Sequence, residues 1–209
     1  MKQYLVFDLE TQRSANDVGG WGNISEMLMS VGVLWDSRDK KFHVYFEDQV
    51  HDLIKHLLSG PLVIGYNHVG FDYTVLSGYF PKGEDRNRAL QQFQDVPNLD
   101  LLNDLKQRIG KRVKLEAVAR PTLKIGKSAD GLQALEWYKE YLDGDEKKLK
   151  LIADYCKQDV AVTRDLYRSG IENGEVFYQD REKGIQAVKV NWDSDGEKTD
   201  VEESVQLSF

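Results

Sequence analysis

Four acidic residues and one tyrosine occupy three short segments, and their types suit metal-ion chemistry. FDLET contributes Asp8 and Glu10, GYNHVGFD contributes Asp72, and YCKQD contributes Tyr155 and Asp159. Residues two apart in a strand point to the same face, so Asp8 and Glu10 would lie side by side. Adjacent carboxylates repel each other unless a cation lies between them, and hard oxygen ligands suit Mg²⁺ or Mn²⁺. The pair predicts a divalent metal site at the end of an apolar strand.

The second and third segments also have plain structural explanations when each is taken alone. Asp72 follows a short apolar strand, and an acid in the first turn of a helix commonly stabilises the helix dipole. Tyr155 and Asp159 are one turn apart on the same face of a helix, where a buried tyrosine is often a core residue bonded to its neighbour. Asp8 and Glu10 could equally mark a strand that emerges into solvent. The order and combination of the three segments, rather than any one of them, indicate a common site.

Charge is unevenly distributed along the 209 residues, which carry a formal net charge of −7. The stretch 191–209 has six acidic residues and one lysine, whereas the stretch 106–127 has eight basic residues and one glutamate. A basic stretch on an acidic body can neutralise phosphates near one cleft, although a solvated helix face and loop would give the same composition. Four carboxylates that hold two divalent ions are a common means of cutting phosphodiesters, which favours the first interpretation.

The elements that would position these residues follow an α/β pattern. KQYLVFDL, MLMSVGVLWD, KFHVYFE and PLVIGYN read as strands, with helices after the third and the fourth, and residues 12–25 read as a loop. From Asn98 the pattern is mostly helical, with a long helix from about Asp145 to Ser169 and a closing hairpin in GEVFYQD and GIQAVKVNW. The sequence therefore predicts an α/β sheet flanked by helices, with a helix-rich second half.

The chain is expected to form one domain over residues 1–190, followed by an acidic, disordered tail over 191–209. No apolar run approaches the roughly 20 residues that a membrane span needs, and the N-terminus lacks the pattern of a signal peptide. The single cysteine, Cys156, cannot form an internal disulfide. These features predict a cytoplasmic protein without a membrane partner.

In this order, FDLET, NHVGFD and YCKQD resemble the motifs of the DEDD superfamily of 3′–5′ exonucleases. One branch of that superfamily has a histidine five residues before the final aspartate, and the other has a tyrosine four residues before it. Position 154 is Asp and position 155 is Tyr, so the chain is similar to the tyrosine branch. The resemblance covers residues 2–170. It is greatest to free-standing predicted exonucleases related to the proofreading domain of family B DNA polymerases.

The resemblance implies a ribonuclease-H-like fold with a mixed central sheet and a two-metal mechanism that releases 5′-mononucleotides. Asp8, Glu10, Asp72 and Asp159 would bind two Mg²⁺ or Mn²⁺ ions, and Tyr155 would orient or help deprotonate the attacking water. Leu9 and Thr11 would cradle the terminal nucleotide, and Asn67 and Phe71 would contact the end of the strand.

Further residues are candidates for binding the substrate strand or a partner. Trp21 could stack on an unpaired base or plug the core, and Lys124 and Lys127 are available to a strand backbone. The C-terminal VQLSF resembles the peptide that binds the bacterial sliding clamp, one residue short of the common form. The four histidines, His43, His51, His56 and His68, show no zinc spacing with a cysteine.

The sequence thus favours a 3′–5′ exonuclease acting on single-stranded DNA 3′ ends, with single-stranded RNA as an alternative substrate. A catalytically silent nucleic-acid-binding module and an endonuclease of the ribonuclease H type are the other hypotheses. The presence of all four carboxylates and the tyrosine counts against the silent module.

Overall fold

A mixed five-stranded sheet lies at the centre of the computed structural model, which describes residues 3–125 and 132–193. The strand order is β3-β2-β1-β4-β5, with β1 at Tyr4–Thr11, β2 at Met29–Asp36, β3 at Lys41–Phe46, β4 at Leu62–Gly65 and β5 at Asn98–Asp100. The pairs β1–β2 and β2–β3 are antiparallel, whereas β1–β4 and β4–β5 are parallel. The predicted α/β fold with a mixed central sheet is confirmed.

Helices flank this sheet and dominate the second half of the chain, as predicted. They are α1 Val50–Leu57, α2 Asp72–Ser77, α3 Glu84–Asp95, α4 Leu101–Ile109, α5 Leu115–Leu123, α6 Leu132–Leu142 and α7 Lys147–Asn173. The predicted closing hairpin is present as β6 Glu175–Asp180 paired antiparallel with β7 Gly184–Lys189. None of the helices in the described ranges combines the length and apolar character that crossing a membrane demands.

The two faces of the sheet pack against different helices because side chains alternate along β1. Tyr4 and Val6 belong to a buried cluster that includes residues of α4, α5, α6 and α7. Leu5 and Phe7 belong to a second buried cluster with residues of α1, α2 and α3. Asp8 and Glu10 continue the Tyr4–Val6 side of the alternation, which directs both acids towards α7.

β1 extends beyond its parallel neighbour β4, and the candidate site lies at this extended end of β1. The last residue of β1 paired with β4 is Val6, opposite Ile64, and β4 ends at Gly65. The chain then leaves the sheet and begins α2 at Asp72. Clefts beyond the carboxyl ends of parallel strands are the usual ligand-binding places of α/β sheets.

Four features differ from the sequence-based expectations. The predicted loop over residues 12–25 contains a 3₁₀ helix, Trp21–Glu26, and neither α3 nor the three-residue strand β5 was expected. Beyond the predicted domain end at residue 190, the indole of Trp192 is buried and stacks on Tyr167 with ring centroids 6.3 Å apart. The packed part of the chain therefore includes Trp192.

Candidate active site

The first two acids lie side by side near the end of β1. Asp8 is opposite Val33 of β2 and Glu10 is opposite Val31, and both carboxyl residues are half-buried. A shift in the β1–β2 register between Glu10 and Thr11 interrupts the regular pairing directly after the second acid. The strand therefore presents two carboxyl groups on one face just before it leaves regular pairing.

Asp72 joins this pair from the first turn of α2. Its side chain is buried, and its Oδ1 accepts a hydrogen bond from the backbone N–H of Leu9 at 3.1 Å. Leu9 lies between the two strand acids, so this bond attaches the second motif directly to the first. The separation of 63 residues along the chain is closed by a single hydrogen bond within the site.

Asp159 and Tyr155 reach the same cluster from α7, which packs across β1. The Tyr155 side chain forms a hydrogen bond with the carboxylate of Asp159, one turn away. Between them in sequence, Cys156 is buried and its Sγ lies 3.4 Å from the backbone oxygen of Asp8. This contact puts the relevant turn of α7 against the first acid.

The electrostatics of the four acids show how close they are. Burial raises the pKa of Asp8 well above its ordinary value, and the charges of Asp72, Asp159 and Glu10 raise it further. Burial likewise raises the pKa of Glu10, with the charges of Asp159 and Asp72 adding to the effect. Burial raises the pKa of Asp72 to about 7 and that of Asp159 to about 6. In the described ranges none of the four forms an ion pair with a lysine or arginine.

A hard divalent cation fits this donor set. Asp8, Glu10 and Cys156 can each bring one ligand atom to within 4.8 Å of the others. Burial and the surrounding carboxylates raise the pKa of the Cys156 thiol, so it stays protonated and is not a thiolate ligand. Carboxylate oxygens are therefore the donors, and oxygen donors suit Mg²⁺ or Mn²⁺.

A second group of possible ligand residues already has an arginine as its positively charged partner. Asp36, Asp39 and His43 bring ligand atoms within 4.8 Å of one another at the β2–β3 turn. The Nε of Arg38 donates to both carboxylate oxygens of Asp36, at 2.9 and 2.8 Å. That arginine lowers the pKa of Asp36 to about 2 despite the opposing effect of burial. The contrast distinguishes the cluster on β1, whose acids have no such partner.

Comparisons with known proteins identify the family. A sequence family model of the RNase H superfamily matches residues 5–170. The chain belongs to this superfamily. A solved structure of the family B DNA polymerase from the hyperthermophilic archaeon Pyrobaculum calidifontis is similar over 82% of the chain, with a TM-score of 0.57 and 19% identity. The similarity covers 25% of that polymerase and shows the fold alone, and no curated protein sequence matches.

Membership in the RNase H superfamily confirms the predicted ribonuclease-H-like fold and supports a nuclease function at the general level. Divalent metals are the general cofactors of RNase H-like nucleases, and the acidic cluster on β1 could bind such an ion. The five residues singled out from the sequence are therefore close together in a superfamily member with a suitable fold.

The other residues of this RNase H-like chain that were predicted to bind the substrate have different surroundings. The Leu9 side chain is buried in the cluster on the α1–α2 face, so Leu9 reaches the site through its backbone N–H. Thr11 is half-buried, and its Oγ1 donates to the backbone oxygen of Arg13 at 3.0 Å. Asn67 and Phe71 line a cavity of about 520 Å³ that also includes Trp21.

Lys124 is not among the residues that line that cavity. Lys124 is exposed and lies in the left-handed backbone region at the end of α5. It lines a different cavity of about 590 Å³, together with Lys114 and Arg120. Lys127 falls outside the described residues, as does the C-terminal VQLSF.

Asp100 is a contributor that the sequence reasoning missed. It ends β5, and its carboxylate accepts backbone N–H groups from Asn67 at 2.9 Å and Val69 at 3.2 Å. The same carboxylate caps α4 by accepting from Leu102 and Asn103. Asp100 thus fixes the turn that leads into Asp72, while Asn67 holds a positive φ of 76°. A capping aspartate before a helix was the only signal in the sequence, and it gave no indication of the second role.

Proposed function

We propose that this chain is a metal-dependent 3′–5′ exonuclease of the tyrosine branch of the DEDD superfamily, acting on single-stranded DNA. The observation that supports it is the mutual interaction of four carboxyl groups and one tyrosine from three distant segments. The residues assigned to catalysis are Asp8, Glu10, Asp72, Tyr155 and Asp159. The products are 5′-mononucleotides.

The four carboxylates are the proposed ligands of two Mg²⁺ or Mn²⁺ ions. Two ions held by these residues would lower the pKa of a water and stabilise the departing 3′ oxygen. The protein contributes an arrangement made before the ions bind, because the N–H of Leu9, the residue between the two strand acids, bonds to Asp72. Negative charges that repel one another in the apo protein also favour the capture of cations.

Tyr155 is the proposed positioning group for the attacking water. Burial, together with the negative charges of Asp159 and Glu10, raises the pKa of its hydroxyl far above neutrality. The hydroxyl therefore keeps its proton at neutral pH and acts as a hydrogen-bonding group rather than as a base. Its bond to Asp159 fixes the direction in which the oxygen points.

Binding of the strand end is assigned to residues around the acids. Thr11 and the backbone at Leu9 flank Glu10, and Asn67, Phe71 and Trp21 border the adjoining cavity. Lys124 and Lys127 are proposed to contact the phosphate backbone further along the strand. The domain over residues 1–190, its tail over 191–209, the cytoplasmic setting and a sliding clamp as partner of VQLSF stay predictions.

One assay tests this proposal against its alternatives. Labelled single-stranded DNA and RNA of equal sequence are incubated with Mg²⁺, with Mn²⁺ or with chelator, and the products are resolved at single-nucleotide length. We expect a ladder that shortens from the 3′ end and releases mononucleotides, with no reaction in chelator. Early internal fragments would indicate an endonuclease, and binding without turnover in Mn²⁺ would indicate a silent binding module.

A further inference from the structure

A cavity beside Asp72 has the size and lining of a nucleotide-binding place. It measures about 520 Å³ and is lined by Trp21, Ile24, Asn67, Gly70, Phe71 and Arg112. Phe71 directly precedes Asp72, so the cavity adjoins the candidate active site. Its volume lies within the range of roughly 300–1,000 Å³ that is usual for small-molecule sites.

Trp21 gives this cavity an exposed aromatic wall. Its side chain is 70% exposed, and its ring centroid lies 6.4 Å from that of Phe71. The end of the segment Trp21–Glu26 is attached to α3, because Arg86 Nη1 donates to Ser25 Oγ at 2.9 Å and to Glu26 Oε1 at 3.3 Å, and a kink at Asn23 separates this end from Trp21. An exposed indole ring beside Phe71 suits stacking on an unpaired base.

Arg112 supplies a positive charge on the same cavity. It is exposed in the segment after α4, where the Tyr66 hydroxyl donates to the neighbouring Val113 carbonyl at 2.9 Å. Burial and the charge of Asp100 raise the pKa of Tyr66, and the charge of Arg112 opposes that rise. None of the ion pairs found within residues 3–125 and 132–193 involves Arg112. The exposed guanidinium of Arg112 is therefore available to a phosphate.

We infer that this cavity, the Trp21–Arg112 subsite, binds one unpaired nucleotide of the substrate strand. The base stacks on the indole ring of Trp21, and the phosphate of the same nucleotide binds the guanidinium of Arg112. The inference rests on the proposed function and adds a physical reason for a preference for single strands over duplexes. A base paired within a duplex cannot reach the indole, so the subsite favours single strands.

The first test removes one base at a time along a short single strand and measures binding. Oligonucleotides of about eight residues, each with one abasic position, are bound to the Asp159→Asn variant in Mg²⁺, with and without Trp21→Ala. We expect one position, or two adjacent ones, at which the abasic site weakens binding about 5- to 100-fold. That dependence disappears in Trp21→Ala and persists in Leu142→Ala, which removes an equally exposed apolar side chain on α6.

The second test scans the phosphate. Neutral methylphosphonate linkages replace single phosphates, and Arg112→Ala is compared with Arg88→Ala, a similarly exposed arginine on α3 outside the cavity. We expect Arg112→Ala alone to abolish the sensitivity to one linkage next to the abasic-sensitive position. The dependence of log affinity on log salt should fall by about 0.7, the contribution of one phosphate contact on a single strand.

The outcomes separate this inference from the proposed function. Sensitivity that is equal at all positions, or unchanged in Trp21→Ala, overturns the subsite even when the protein degrades DNA. A free 5′-mononucleotide that competes as well as the oligonucleotide also overturns it, because the cavity would then be a product site. A position-specific pattern in a protein without nuclease activity supports the subsite and refutes the proposed exonuclease.

Discussion

Among the described residues, none of the four clustered acids pairs with a lysine or an arginine. By contrast, the buried Asp36 pairs with Arg38 and the buried Asp180 pairs with Lys111. Burial instead raises the pKa of Asp72 to about 7 and that of Asp159 to about 6. Burial and the charges of neighbouring acids raise the pKa values of Asp8 and Glu10. The apo protein therefore retains protons near neutral pH that a bound cation would displace.

This behaviour predicts how stability without metal depends on pH. The unfolded chain releases the protons of these aspartates near pH 4, whereas the folded protein keeps them up to about pH 6–7. Their contribution to stability is therefore complete below about pH 4 and is lost as the pH rises through the folded-state values. In chelator, we expect the melting temperature of Asp72→Asn to rise relative to that of the wild type as the pH increases from about 5 to about 8.

Thermal unfolding in chelator and in Mn²⁺ measures this effect. Mn²⁺ should raise the wild-type melting temperature most at the higher pH, where the acids are ionised. A difference between wild type and Asp72→Asn that does not change with pH would contradict the assignment of raised pKa values.

The role proposed for the Tyr155 hydroxyl predicts an effect on the rate of cleavage that is separate from metal binding. We expect Tyr155→Phe to slow cleavage about 100-fold or more, because the water loses a positioning hydrogen bond. Mn²⁺ affinity measured by calorimetry should stay close to that of the wild type, whereas Asp8→Ala should lose both activity and affinity. Tyr178→Phe, on β6, is the matched control, and a Tyr155→Phe rate equal to that of this control would refute the role.

The motif residues were predictable because three segments occur in a recognisable order and combination. The spacing of Asp8 and Glu10 on a strand, or of Tyr155 and Asp159 on a helix, shows which residues share a face but leaves plain structural explanations open when taken alone. Asp100 was not predictable in its second role, since its bonds to Asn67 and Val69 cross between segments about 30 residues apart.

At the scale of elements, the turn between β4 and α2 is held from outside by β5. Asp100 accepts two of the N–H groups in this turn while it also caps α4. Positions that combine a cap with a buried hydrogen-bond network are sensitive to substitution. Asp100 therefore couples the order of the second motif to the stability of the sheet edge.

Replacing Asp100 should affect both properties. We expect Asp100→Ala to destabilise the protein by about 1–3 kcal/mol, since the cap and the buried N–H groups lose their acceptor. Asp100→Asn keeps one acceptor oxygen and should be intermediate. Denaturant unfolding gives the stability and calorimetry gives the Mn²⁺ affinity.

The exposed Asp95 provides the matched control, as Asp95→Ala removes only a bond to Gln91. If Asp100→Ala loses stability but keeps wild-type Mn²⁺ affinity, Asp100 does not position Asp72.

Long elements with a regular hydrophobic pattern were predicted, and short or polar ones were not. β1 begins with a continuous apolar run that is typical of a strand buried on both faces, and α7 shows a period of 3.6 residues. β5 contains only three residues, Asn98–Asp100, and pairs with β4 through tertiary context rather than through its own composition. α3 buries only Ala89 and Phe93, so its apolar stripe is too sparse to recognise.

At the scale of the whole molecule, the end of the described chain closes the core. Trp192 packs so closely on α7 that a Cβ at Gly170 would lie 2.2 Å from the indole ring. The indole N–H also donates to Asp104 on α4 at 2.8 Å. The predicted hairpin segment GIQAVKVNW already ended at this tryptophan, but the acidic composition of residues 191–209 set the predicted domain boundary at residue 190.

Two truncations test where the folded unit ends. A chain that stops after Asp193 should keep the wild-type melting temperature and nuclease activity. A chain that stops after Val190 loses Trp192, and we expect it to be less stable by about 3–5 kcal/mol. Equal stability of the two truncated chains would show that Trp192 does not contribute to the core in solution.

The contact between Cys156 and Asp8 joins residues 148 positions apart, and it has a consequence for synthesis. During synthesis, β1 with two of the proposed ligands leaves the exit tunnel well before α7, which carries the proposed ligand Asp159. The proposed metal site therefore cannot assemble on a chain that still lacks α7, and such an unfinished chain would lack the proposed nuclease activity.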